Sequence, residues 1–137
     1  MAKLKILVVE DSKIIAGKIQ KSLEKLGYSV SSVASSGEEA IKKVEENKPD
    51  LALMDIILEG KMDGIETAAI MHCRFDIPVI YLTSHSENKT LERAKITEAF
   101  GYITKPFGDE ELNSNIVMAI YKHKAEKKQE KLSKELQ

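Results

Sequence analysis

Glu10-Asp11, Asp55, Thr83-Ser84 and Lys105-Pro106 each stand directly after a short apolar run, at residues 4–9, 51–54, 78–82 and 101–104. Carboxylates brought to one place repel one another unless a cation neutralises them. A hard divalent ion such as Mg²⁺ suits that role, because it takes oxygen ligands, keeps several waters and is commonly held by a few carboxylates together with a phosphate. A lysine ammonium is a compact point charge for a phosphoryl oxygen, and a threonine hydroxyl adds a donor. A carboxylate is also a nucleophile that can form an aspartyl phosphate. Each residue has a plainer role when taken singly. Asp11 or Ser12 would serve as a helix cap, Asp55 and Thr83 as polar strand ends, and Lys105 as a loop lysine. It is their convergence that points to chemistry.

That convergence depends on the elements that carry them. Runs 4–9, 51–54 and 78–82 are almost continuously apolar, as expected of parallel strands covered on both faces. Residues 29–34 form a weaker second strand and 101–104 a fifth, and Pro78 sits at a strand entry, where it is tolerated. Between them lie helical patterns. Ile15, Ile19, Leu23 and Leu26 share a stripe ending at Gly27. Ala40, Ile41 and Val44 follow a Ser36-Gly37-Glu38-Glu39 start. Ile65, Ala68, Ala69 and His72 mark a third helix, residues 88–99 a weakly patterned fourth, and Leu112, Ile116, Ala119, Ile120 and His123 a fifth. Strictly alternating strands and helices predict an α/β fold: a doubly wound, five-stranded parallel sheet with helices on both faces. Ligands of such sheets bind beyond the carboxyl ends of the strands, where the acids, Thr83 and Lys105 fall.

The length of 137 residues suits one core. The boundaries predicted are a domain over 1–122 and a charged helical extension or linker over 123–137, since a helix over 109–136 would be about 42 Å long, more than a small domain's width. With 42% hydrophobic and 31% charged residues and a net charge of −1, no overall basic field exists to hold nucleic acid directly. No run approaches the roughly 18 apolar residues of a membrane span. The expectation is therefore a cytoplasmic protein without a membrane partner. Cys73 is the single cysteine, so no intramolecular disulfide forms, and a small buried hydrophobe is expected there.

The segments ILVVEDS, LALMDI, MDGIE, PVIYLTS and GYITKPF, in this order, resemble the receiver domains of two-component response regulators over residues 3–122. The resemblance implies the flavodoxin-like strand order 2-1-3-4-5. It also implies a phosphoacceptor switch rather than an enzyme acting on a separate substrate. Asp55 would be the acceptor. Glu10, Asp11, Asp55 and the backbone carbonyl of Ile57 would be the Mg²⁺ ligands. Lys105, with a cis bond to Pro106, and Thr83 would contact the phosphoryl group, and Tyr102 would be the switch aromatic. The implied partners are a sensor histidine kinase as donor, a downstream effector domain or protein, and a second copy in a homodimer. The surface that responds would be that of the fourth helix, fifth strand and fifth helix.

Two features depart from the family's common pattern. The stretch from Asp55 to Asp63-Gly64 lacks the usual proline and is one residue longer. At the positions that flank the attacking water stand Ile57 and His85: an apolar Ile57 would shield an aspartyl phosphate, whereas His85 would orient water. Other classes fit less well. A haloacid-dehalogenase-type phosphatase needs an acid where Ile57 stands, and a dinucleotide fold needs a glycine-rich turn where Glu10-Asp11-Ser12 stands. The remaining alternative is a pseudo-receiver, the same fold acting only as a protein-interaction module.

Overall fold

The structure, a computed structural model, describes residues 3–56, 58, 60–83, 101–104 and 107–135. Five parallel strands, β1 (Lys5–Val9), β2 (Ser29–Ala34), β3 (Leu51–Asp55), β4 (Val79–Thr83) and β5 (Gly101–Thr104), form one sheet in the order β2-β1-β3-β4-β5. This is the doubly wound sheet and order expected. Helices α1 (Lys13–Lys25), α2 (Gly37–Glu46), α3 (Gly64–Ile70) and a long C-terminal helix (Asp109–Glu135) accompany it. The fourth helix expected over 88–99 lies outside the described residues.

The apolar runs are continuous because successive side chains serve opposite faces. Ile6 and Val8, with Leu51, Leu53, Ile80, Leu82 and Ile103, pack under Ala16, Ile19 and Leu23 of α1 and under Leu112, Ile116 and Ala119 of the C-terminal helix. Leu7, Val9, Ala52, Met54 and Tyr81 face Ala40 and Val44 of α2 and Ile65, Ala68 and Met71 on the other side.

Local signals end these helices. Gly27, at φ 95°, closes α1: its N–H donates to the Glu24 carbonyl and that of Tyr28 to the Leu23 carbonyl, the paired bonds of a Schellman end. At the start of α2, Ser36 Oγ accepts the Glu39 N–H, while Glu39 Oε2 accepts the backbone N–H and hydroxyl of Ser35. The third helix differs from expectation. After Ile70 it widens into a π-helical turn, Met71–Phe75. Met71 enters the core there, and Cys73, expected to be buried, is exposed instead. An added residue in the turn rotates the face that follows, which a 3.6-residue period does not anticipate.

The turn ends at Asp76, which adopts a left-handed φ of 55°. Its carboxylate accepts from His123 Nε2 at 3.2 Å and pairs with Lys127 Nζ. The C-terminal helix is thus tied to the end of the π turn beyond its last buried apolar residue. Burial alone would raise the Asp76 carboxyl, but hydrogen bonds from Lys127 and His123, with their charge, hold it below the ordinary value of 3.8. A depressed carboxyl stabilises the fold above its unfolded value, and that contribution is lost as pH falls through the folded value. Asp76→Asn keeps a residue type that tolerates the left-handed backbone. Urea unfolding should show wild type ahead by less than about 1 kcal/mol, as expected for a half-exposed pair, with the gap closing as pH falls below the ordinary aspartate range.

Candidate functional site

Glu10 continues the β1–β2 ladder past the strand: its N–H donates to the Ala34 carbonyl at 2.9 Å, which draws the side chain down to 3% exposure. Asp11 follows at a half-buried position. The cap of α1 is Ser12, whose Oγ accepts the Ile15 N–H at 3.4 Å. Its own N–H faces Glu10 Oε1, also at 3.4 Å. The capping role open to Asp11 or Ser12 thus falls to Ser12. Asp55 is the last residue of β3, paired with Leu82 of β4, and only 7% exposed.

The three acids converge. Carboxylate oxygens of Glu10, Asp11 and Asp55 lie within 4.8 Å of one another. Two of the three side chains are buried, so water screens their repulsion poorly. An all-oxygen, all-anionic donor set at a partly open edge fits a hard divalent cation such as Mg²⁺, which binds through few carboxylates and retains waters. It does not fit ions that seek nitrogen or sulfur.

The remaining site residues are placed to different degrees. Thr83 ends β4, its backbone in register with Thr104 of β5, so β4 finishes beside β3 and β5 one strand further out. The Thr83 side chain, Ile57, His85, Lys105 and Pro106 lie outside the described residues. Tyr102 stands opposite Tyr81 in the β4–β5 register. The two rings stack at a centroid distance of 6.0 Å and an angle of 28°. Burial raises the Tyr102 phenol above its ordinary value. Tyr81, whose ring lies against that of Tyr102, was not singled out in the sequence because it reads as one more core residue of an apolar strand.

Two further residues went unnoticed for a similar reason. Gly64 reads as part of a motif, yet its role is steric: a Cβ there would lie 2.0 Å from the Asp55 carbonyl oxygen and 2.8 Å from Ile56 Cα. Its N–H donates to the Ile56 carbonyl at 2.8 Å, so α3 begins in direct contact with the backbone of Asp55 and Ile56. Glu38, an apparently ordinary surface acid, accepts the N–H groups of Lys61 and Met62 across 23 and 24 residues of sequence. No short-range pattern reports such contacts.

Gly64→Ala should cost about 1–3 kcal/mol in urea unfolding, the usual penalty for overpacking against a fixed neighbour. Asp11→Asn should do the reverse in chelator, raising stability by about 1 kcal/mol through relief of like-charge repulsion at the solvent-facing rim.

The family model for the response regulator receiver domain matches residues 6–117. The chain is 40% identical over 113 residues to the alkaline phosphatase synthesis transcriptional regulatory protein PhoP of Bacillus subtilis, covering 82% of this chain and 46% of that one. It is 32% identical over 116 residues to the transcriptional regulatory protein PdtaR of Mycobacterium tuberculosis, covering 85% and 56%. The chain therefore spans about half the length of the curated relatives it matches. Among solved structures, the signal receiver domain of a modulated diguanylate cyclase from Desulfovibrio desulfuricans G20 superposes with a TM-score of 0.86 at 41% identity, covering 91% of this chain and 99% of that one. Among the described residues, no helix is long and apolar enough to cross a membrane. With a sheet of this order, an acid cluster at its carboxyl edge and a family match over most of its length, the chain belongs to the response regulator receiver domains.

Proposed function

We propose that the protein is a phosphorylation-driven signalling switch whose acceptor is Asp55. The observation that carries this reading is the gathering of Glu10, Asp11 and Asp55 within 4.8 Å at the carboxyl edge of the sheet. There, a nucleophilic carboxylate lies beside two acids suited to a cation. Glu10, Asp11 and Asp55, with the carbonyl of Ile57, would hold Mg²⁺, which supplies positive charge to offset that of the incoming phosphoryl group.

In the proposed step a carboxylate oxygen of Asp55 attacks the phosphorus of a phosphohistidine on a sensor kinase. The new O–P bond forms as the N–P bond breaks. The donor imidazole leaves with the electron pair of the broken bond and takes up a proton. Lys105 would neutralise charge on the phosphoryl oxygens, so that positioning and electrostatics carry most of the rate. The product adds roughly −1.5 to −2 charge at the sheet edge. Thr83 would turn to donate to a phosphoryl oxygen, and Tyr102 would occupy the space it vacates. The stack on Tyr81 supports this reading by giving Tyr102 a buried surface to slide over.

The change would be read on the face of β5 and the C-terminal helix. That helix exposes Val117 (53%), Met118 (52%) and Tyr121 (71%), a strip lying away from its buried Leu112, Ile116 and Ala119, and a downstream effector would dock there. Phosphoryl transfer then acts as a population shift, limited by how much better the phosphorylated state fits that surface.

Incubation with acetyl phosphate and Mg²⁺, read by intact mass, should add one phosphoryl group to wild type and none to Asp55→Asn or to wild type in chelator. Folded wild type that takes up nothing from several donors would favour the pseudo-receiver, and uptake by Asp55→Asn would move the acceptor elsewhere.

A further inference from the structure

The chain between Asp55 and α3 contains no proline, so the placement of residues 60–62 rests on contacts from elsewhere in the fold. Glu38, in the first turn of α2, supplies a hold. A single oxygen, Oε1, accepts the Lys61 N–H at 3.0 Å and the Met62 N–H at 3.1 Å. Gly60 turns the chain at φ 99° directly beneath the same carboxylate, and a Cβ there would lie 2.7 Å from Glu38 Oε2. Gly60 therefore serves both the turn and the approach of Glu38.

The far side of this segment is equally constrained. Gly64 sits against the backbone of Asp55 and Ile56. Gly37, next to Glu38, has room for no side chain: its Cβ would lie 2.1 Å from Thr67 Oγ1 and 3.3 Å from Met62 Cβ. Residues 60–64 are thus gripped between the start of α2 and the backbone of the proposed acceptor. Neighbouring acids are engaged elsewhere, Glu39 on Ser35 and Asp63 as the cap of α3 through the Glu66 N–H. Both N–H groups held by Glu38 lie near solvent, so water would satisfy them without it. The carboxylate therefore selects one conformation of the segment more than it protects buried donors.

We propose that Glu38 is a positioning residue for the phosphoacceptor site: it fixes residues 60–62 and, through Gly64, the backbone of Asp55 and Ile56 on which the acceptor and cation site are built. This rests on the assignment of Asp55 as acceptor and is testable apart from it. The variants are Glu38→Ala and Glu38→Gln in the full chain, with folding checked by circular dichroism. Because both N–H groups use one oxygen, glutamine retains the acceptor they need while removing the charge.

In the metal-free protein, Glu38→Ala should speed amide exchange at Lys61 and Met62, and Glu38→Gln should restore protection. Mg²⁺ titrated by NMR should bind Glu38→Ala about tenfold more weakly, the lower end of what outer-shell partners typically contribute, with Glu38→Gln near wild type. Phosphorylation by acetyl phosphate should then need correspondingly more Mg²⁺ while its saturated rate changes less. Unchanged Mg²⁺ affinity in folded Glu38→Ala would overturn the proposal. So would a Glu38→Gln as weak as Glu38→Ala, because that result assigns the effect to charge. Should wild type accept no phosphoryl group at all, the Asp55 reading fails, while exchange and Mg²⁺ affinity still decide the role of Glu38.

Discussion

Three carboxylates confined within 4.8 Å are a standing electrostatic strain, and much of the architecture can be understood as what bears it. Isolated charges withdrawn from water are costly, and a flexible segment carrying such a cluster would simply spread it apart. Here Glu10 and Asp55 stand at the ends of β1 and β3, central strands that are hydrogen-bonded to one another and covered on both faces. The apolar packing of Ile6, Val8, Leu51 and Leu53 on one side and Leu7, Val9, Ala52 and Met54 on the other makes separation of the acids equivalent to breaking the core. Stability drawn from the interior thus maintains a site that would otherwise relax, a common relation between functional sites and the scaffolds around them.

The connecting segments extend this constraint to places the strands do not reach. Glycines at 37, 60 and 64 let the backbone approach a threonine hydroxyl, a carboxylate and another backbone, respectively, more closely than any side chain would permit. Together they bring the start of α2, the chain after Asp55 and the start of α3 into one contact region. Further along the sheet, the Tyr81–Tyr102 stack joins β4 to β5. Residues 60–64 are thus held by the starts of α2 and α3, and the aromatic pair belongs to the same core layer as those helices.

Much of this was legible in the sequence, because the signals that carry it are local. Continuous apolar runs identified β1, β3 and β4. The second strand and fifth strand fell at 29–34 and 101–104 as expected, and strand-end acids pointed to the sheet's carboxyl edge. Gly27 and Ser36 announced helix boundaries through backbone and capping chemistry that depends on neighbouring residues alone. What escaped notice depends on distant partners. The π turn at Met71–Phe75 breaks the period that helical reading assumes, and with it the expected burial of Cys73. Asp76 has its partners His123 and Lys127 on a helix some fifty residues away, where no local pattern points. Glu38 and Gly64 drew no special attention because their roles exist only once α2 and α3 meet the chain after Asp55.

The C-terminal helix runs through 27 residues without interruption, yet its last side-chain tie to the rest of the domain among the described residues is Lys127 on Asp76. From there to Glu135 the helix extends about 12 Å at 1.5 Å per residue. With Leu112, Ile116 and Ala119 held in the core, the stretch beyond Lys127 is a rod fixed at one end. Bending it there by about 10° displaces a tip 12 Å away by about 2 Å. The reach comes from the helix's length beyond the domain, and His123 and Lys127 on Asp76 mark where it leaves the body.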